Sequence, residues 1–167
     1  YADPNGSNRP WRLGPVPNLI PAEQWQVLAE GIAQRASLFN SMLADVYGEQ
    51  TLIQKGLIPA ELIYGHPNFL RPCLGIKQPR NTYLHVYAAD VARAADGKWW
   101  VMADRTQTPS GAGYALENRQ IIARAFPEMY RQLKVQSLND YFLILRQTLA
   151  KLAPTNGEPP LIVLLTS

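Results

Sequence analysis

The chain has 167 residues, a net charge of +3 and a charged fraction of 17%. That length bounds it to one domain or two small ones, with enough apolar mass for a core. So small a charge surplus is no basic stripe, the lone Cys73 excludes a disulfide framework, and no apolar run approaches the ~18 residues of a membrane span.

The first 21 residues hold five prolines, Pro4, Pro10, Pro15, Pro17 and Pro21. Proline fixes φ and removes a donor, so residues 1–21 read as an extended surface segment pinned by Trp11. Pro21 suits the first turn of a helix. Trp25, Leu28, Ile32, Ala36, Phe39, Leu43 and Val46 recur at helical spacing and predict an amphipathic helix from Ala22 to Val46. Gly48 is expected to end it in the left-handed conformation. Glycines and prolines break up residues 51–78, where short helical turns are expected near Leu52–Lys55 and Pro59–Ile63. Tyr83–Arg93 and Lys98–Arg105 read as strands joined by a two-residue Asp96-Gly97 turn. A loop at Gly111 and Gly113 leads into a predicted helix from Tyr114 to Ala125, and Pro127–Leu133 adds one or two turns. Ser137 and Asp140 read as a capping box that opens a helix running to Leu152. After a Pro154–Pro160 linker, Leu161–Thr166 is predicted to be a buried apolar strand. Such a strand needs neighbours on both sides, so the natural protein is expected to continue.

The expected fold class is α+β. A small antiparallel or mixed sheet is built on the 83–105 hairpin and packed by the 22–46, 114–125 and 137–152 helices. Residues 1–167 are read as a single domain belonging to a longer protein.

A two-residue turn sets Asp90 opposite Ala103, Ala92 opposite Val101 and Ala88 opposite Arg105. One face then carries Ala88, Asp90, Ala92, Trp99, Val101, Ala103 and Arg105, and Asp104 lies on the other with Ala89, Val91 and Met102. Asp90 and Asp104 therefore form no carboxylate pair unless a bulge shifts the register. Asp90 and Arg105 are diagonal neighbours, either as a structural ion pair or as a polar cluster in a ligand cleft. The Gln107–Tyr114 loop reads either as an ordinary capped connection, which its spacing favours, or as small residues that leave helix N–H groups open to an anion, and neither a Walker nor a dinucleotide pattern is present. Ser110 lacks the Gly-x-Ser-x-Gly elbow of a serine hydrolase. Arg119 can bind phosphate or carboxylate, or pair with Glu117 or Glu128. His66 and His85 have no other ligand at metal spacing, and the scattered basic residues argue against nucleic acid.

The run Ala103–Arg119 (Ala-Asp-Arg-Thr-Gln-Thr-Pro-Ser-Gly-Ala-Gly-Tyr-Ala-Leu-Glu-Asn-Arg) resembles the circularly permuted ATP-grasp proteins of type 2. Arg9-Pro-Trp11, Gln34-Arg35, Ala44–Gly48, Gly65–Phe69, the Asp90 strand and Leu161–Ser167 extend the likeness over most of the chain. This is a bacterial family related to glutathionylspermidine-synthase-like ligases, and some members are fused to a helical alpha-E domain. The resemblance implies part of an ATP-grasp-like lobe in a cytoplasmic carboxylate–amine ligase that forms an amide through an acyl phosphate. ATP and Mg²⁺ are the implied cofactors. The implied partners are the nucleotide, a small-molecule or peptide substrate and an alpha-E domain, with no nucleic acid and no membrane. It further implies a metal position at Asp90, a cofactor-binding loop at Ser110, Gly111 and Gly113, and catalytic roles for Arg105 and Arg119. The family's metal hairpin pairs an Asp on one strand with Glu-x-Asn on the next. Here those positions are Asp90, Ala103 and Arg105. Ala103 offers no oxygen and Arg105 brings a cation, so no well-ordered Mg²⁺ is expected there. The alternative implied function is a non-catalytic, ATP-grasp-derived scaffold that binds a partner.

Overall fold

A computed structural model describes residues 10, 12–107, 109–153 and 157–164. The chain divides into two compact units, residues 21–109 and residues 1–20 with 110–167. Trp11 lies outside the described residues, so its expected pinning role does too.

The 21–109 unit is built on helix α1, Ala22–Val46. The apolar stripe read from the sequence faces inward at Leu28 and Val46, 8% and 6% exposed, which are the buried apolar residues among those described. Trp25, at the start of the stripe, stays 44% exposed. The expected left-handed Gly48 is corrected: Gln50 takes the positive φ, 58°, at the end of the turn. Gly48 answers to space instead, because a Cβ there would lie 2.6 Å from the Ala44 carbonyl oxygen. Asp45, still on α1, reaches forward to cap the next helix, α2 (Thr51–Gln54). Its carboxylate accepts the Thr51 and Leu52 N–H groups at 2.9 and 3.0 Å and the Thr51 hydroxyl. These bonds, the Thr51 hydroxyl's first, hold the Asp45 carboxyl below its ordinary pKa. A side chain that fills orphan amide donors in this way fixes the direction of the following turn.

Helix α3 is Ala60–Tyr64, and 3₁₀ turns follow at Arg71–Cys73 and Pro79–Asn81. Phe69 links this irregular stretch to α1, with its ring 5.3 Å from Tyr47 and 5.5 Å from Tyr64. The Tyr47 carbonyl accepts the Gly75 N–H at 2.8 Å.

The sheet is one antiparallel hairpin, β1 (Ala88–Arg93) with β2 (Trp99–Arg105). The first strand is five residues shorter than predicted. Asn40 of α1 explains the loss, because its Oδ1 accepts the Tyr83 and Leu84 N–H groups at 2.7 and 3.0 Å. That segment is anchored to a helix side chain, not to a strand.

The turn also differs from the two-residue expectation. Gly97 N–H donates to Ala94, Ala94 N–H donates to Lys98, and Gly97 has φ +84°. This is a three-residue loop, a tight turn followed by a left-handed glycine. The pairing near the turn is accordingly offset: Ala92 sits opposite Trp100 and Val91 opposite Val101. A bulge between Asp90 and Val91 absorbs Met102 and restores the expected register beyond it, with Asp90 opposite Ala103 and Ala88 opposite Arg105. Trp99 and Val101 thereby move to the Asp104 side, contrary to the face assigned from the sequence.

The second unit is helical: α4 (Ala112–Ala125), α5 (Pro127–Gln132) and α6 (Asn139–Leu152). The capping box expected at Ser137 does not form. The Ser137 hydroxyl accepts the Asn139 N–H at 3.1 Å and no side-chain cap closes α6. The strand predicted at 161–166 is corrected over its described part. Residues 161–164 are irregular, with Leu161 88% exposed and no strand partner among the described residues.

Candidate functional site

Each unit holds one group of the residues singled out above. Asp90 and Arg105 belong to the 21–109 unit, and Ser110, Gly111, Gly113 and Arg119 to the other.

The hairpin brings Asp90 and Arg105 together. Arg105 Nε lies 3.1 Å from both Asp90 oxygens and Nη2 lies 2.6 Å from Oδ2. This is a charge-assisted, forked contact, the strongest form of such a pair. Hydrogen bonding from Arg105 holds the Asp90 carboxyl below its ordinary pKa, and the carboxylate raises that of the guanidinium. The pair remains open to solvent, at 45% for Asp90 and 59% for Arg105. Trp100 and Met102 nearby on β2 are also exposed, so among the described residues no packed apolar layer plugs this stretch of the hairpin.

Asp104 faces the opposite way, as its strand position requires. Arg35 of α1 donates from Nε at 3.0 Å and from Nη2 at 2.5 Å, and the Tyr87 hydroxyl donates to the same carboxylate. The Arg35 guanidinium also lies 5.9 Å from the Phe39 ring. Arg35, then Tyr87, hold Asp104 below the usual carboxylate range. The Arg35 pKa is raised, mainly by Asp104, and burial followed by Asp104 pushes the Tyr87 phenol up. This cluster clamps the back of β2 to α1 and so fixes which side of the ribbon Asp90 and Arg105 occupy. The sequence reading placed Asp104 on the correct face and missed Arg35 and Tyr87. The only signal for Arg35 lay in the Gln34-Arg35 motif.

The clamp predicts a pH dependence. A carboxyl whose folded pKa is depressed stabilises the fold above its unfolded value of about 4, and that contribution is lost as pH falls through the lower folded value. Arg35→Gln is therefore expected to cost stability at pH 7, with the gap from wild type shrinking below about pH 4. Urea unfolding at both pH values measures it, and a gap that does not change with pH contradicts the clamp.

A second tether lies at the exit from β2. Asn68 Nδ2 donates to Gln107 Oε1 at 2.9 Å, while His66 Nδ1 accepts the Asn68 N–H at 3.2 Å. The Gly65–Phe69 motif thus holds the chain just before the Ser110 loop, a structural use of His66.

In the second unit, Gly111 takes φ +100° at the start of α4, a backbone conformation that favours glycine. No side chain of Gly111 can cap α4, and Ser110, Gly111 and Gly113 are all exposed. Arg119 pairs with neither Glu117 nor Glu128. Those two acids bind Arg124 and Arg131, and Arg119 donates to the Gln136 carbonyl.

The donor set at the hairpin does not fit Mg²⁺. Octahedral oxygen coordination is required, whereas Ala103 presents a methyl group and Asp90 is already taken by a guanidinium. Among the described residues no cluster of three or more His, Cys, Asp or Glu is placed to hold a metal. A helix start opened by Gly111 with small residues around it suits the phosphates of ATP. No helix among the described residues is long and apolar enough to cross a membrane.

The model of the family "circularly permuted ATP-grasp type 2" matches residues 17–167, and the chain belongs to that family. An uncharacterized protein of Synechocystis sp. is 35% identical over 99% of this chain and 34% of its own length. An uncharacterized protein of Mycobacterium tuberculosis is 38% identical over 94% of this chain and 18% of its own. Another, from Mycobacterium leprae, is 37% identical over 97% of this chain and 29% of its own. The chain thus spans about a third or less of these curated relatives.

Proposed function

We propose that the whole protein is an ATP-dependent ligase that joins a carboxylate to an amine, with an arginine standing at the hairpin's metal position. Family membership supports the reaction class. The forked Asp90–Arg105 contact is the observation that carries the altered metal position.

In the proposed reaction a carboxylate oxygen attacks the γ-phosphorus of ATP, and the bond to ADP breaks. The amine nitrogen then attacks the acyl carbon. A C–N bond forms, the C–O bond to phosphate breaks, and the amine gives up a proton. Phosphoryl transfer depends on positioning and on positive charge around the migrating group. Within the other unit, the start of α4 after Ser110 and Gly111 suits phosphate oxygens, and Arg119 suits an anionic group. Arg105 is permanently charged and suited to phosphate. It exchanges Asp90 for phosphate oxygens as charge develops. No step passes through a metal at Asp90.

The same ion pair favours one other reading. A guanidinium neutralised by its own neighbour fits a non-catalytic scaffold that binds a partner such as an alpha-E domain.

Isotope transfer separates the two. The whole protein is given ATP, amines, and amino and short fatty acids labelled with oxygen-18 in the carboxylate. Acyl-phosphate chemistry must move one labelled oxygen into the released phosphate. Unlabelled phosphate, or AMP in place of ADP, contradicts the ligase mechanism. No ADP with any pair of substrates favours the scaffold.

A further inference from the structure

We propose that the groove beside Arg119 binds a monocarboxylate with an apolar body. The inference rests on the ligase reading and gives it the chemical class of its acid substrate. The groove lies between residues 13–19 and helices α4 and α5, entirely within one unit, and holds about 340 Å³. Small-molecule sites commonly enclose roughly 300–1,000 Å³ behind mostly apolar walls with a few polar groups. Here Ile122, Met129 and Leu133 supply apolar wall, and among the described residues of the lining Arg119 alone carries a charge.

That composition selects the ligand. Arg119 is half-buried and spends a donor on the Gln136 carbonyl, which orients the guanidinium. A guanidinium has five N–H donors, so an edge remains for a forked contact with a carboxylate. One positive charge against an apolar wall balances one negative charge. A phosphate dianion would leave one of its two charges facing the apolar wall without a partner. An amine would meet like charge, with no acid among the described lining residues to receive it. An acid with a hydrocarbon body matches both the cation and the wall.

The test is an equilibrium titration of the intact protein without ATP, read by NMR at the Met129 methyl group and the Tyr130 ring. The probes are hexanoate, hexylamine and inorganic phosphate. Hexanoate is expected to shift both signals, with hexylamine and phosphate shifting neither. Arg119→Gln is expected to weaken hexanoate on the order of tenfold or more, as for a hydrogen bond to a charged group. Met129→Trp, which fills the groove and leaves Arg119 in place, is expected to block hexanoate as well. Equal binding of hexylamine, displacement of hexanoate by phosphate, or unchanged hexanoate affinity in both variants would overturn the proposal. The ligase reading stands or falls separately. Hexanoate binding without ATP turnover keeps the groove and loses the ligase, and amide synthesis without hexanoate binding does the reverse.

Discussion

Arg105→Ala in the whole protein is expected to lower kcat for ATP-dependent ligation about 10²–10³-fold, the usual cost of removing one preorganised group from a developing anion. The loss should fall on kcat more than on KM for ATP. Arg105 is shared with Asp90 in the resting state, and the proposed mechanism releases it to phosphate only as charge builds. Arg105→Lys keeps the charge without the fork and should fall between the two. Loss of folding does not explain such a result. Asp90 is 45% exposed, so the carboxylate left behind is hydrated, and ion pairs at such sites contribute little to stability. The Asp104–Arg35 clamp on the other side of the ribbon is untouched by the substitution. A drop smaller than about threefold would return Arg105 to a structural role.

Regular periodicity made part of this molecule legible. Helix α1 has the bounds read from its apolar stripe, and α6 ends at Leu152 as expected although its start is built differently. The hairpin was legible in existence and antiparallel sense. Its turn was not, because a glycine after Asp96 serves a two-residue loop and a three-residue loop equally well, and Gly97 is left-handed in either. The register at Asp90 nevertheless agrees with expectation, since the bulge at Met102 cancels the extra loop residue. Two irregularities of opposite effect left the face assignment of 90, 103 and 105 intact while reversing it for Trp99 and Val101.

What stayed hidden depends on contacts between residues distant in the chain. Neither Arg35 with Asp104 nor Asn40 with Tyr83 carries a local signature, and each decides a strand boundary or a face. Gly48 shows the limit of a rule tied to one cause, because its carbonyl contact with Ala44, not a positive φ, demands glycine. The 161–164 run shows the other limit. Apolar, strand-like composition becomes a strand only where a partner edge is present.

The ligand position at the hairpin can be rebuilt, and this gives the second large expected effect. Ala103→Glu with Arg105→Asn sets two oxygen donors beside Asp90 on one side of the ribbon, given that Ala103 is opposite Asp90 and Arg105 is one residue pair beyond. It also removes the competing cation. Mn²⁺ affinity is expected to rise on the order of 100-fold, since even outer-shell partners of a metal site are worth about 10–100-fold.

The decisive measurement is the anomalous signal from Mn²⁺-soaked crystals of the wild type and this double variant, collected side by side. The wild type should show no peak at Asp90, where the guanidinium sits, and the variant a strong one. A strong wild-type peak at Asp90 would mean that Arg105 yields the site to metal, and the arginine-for-metal account would be wrong.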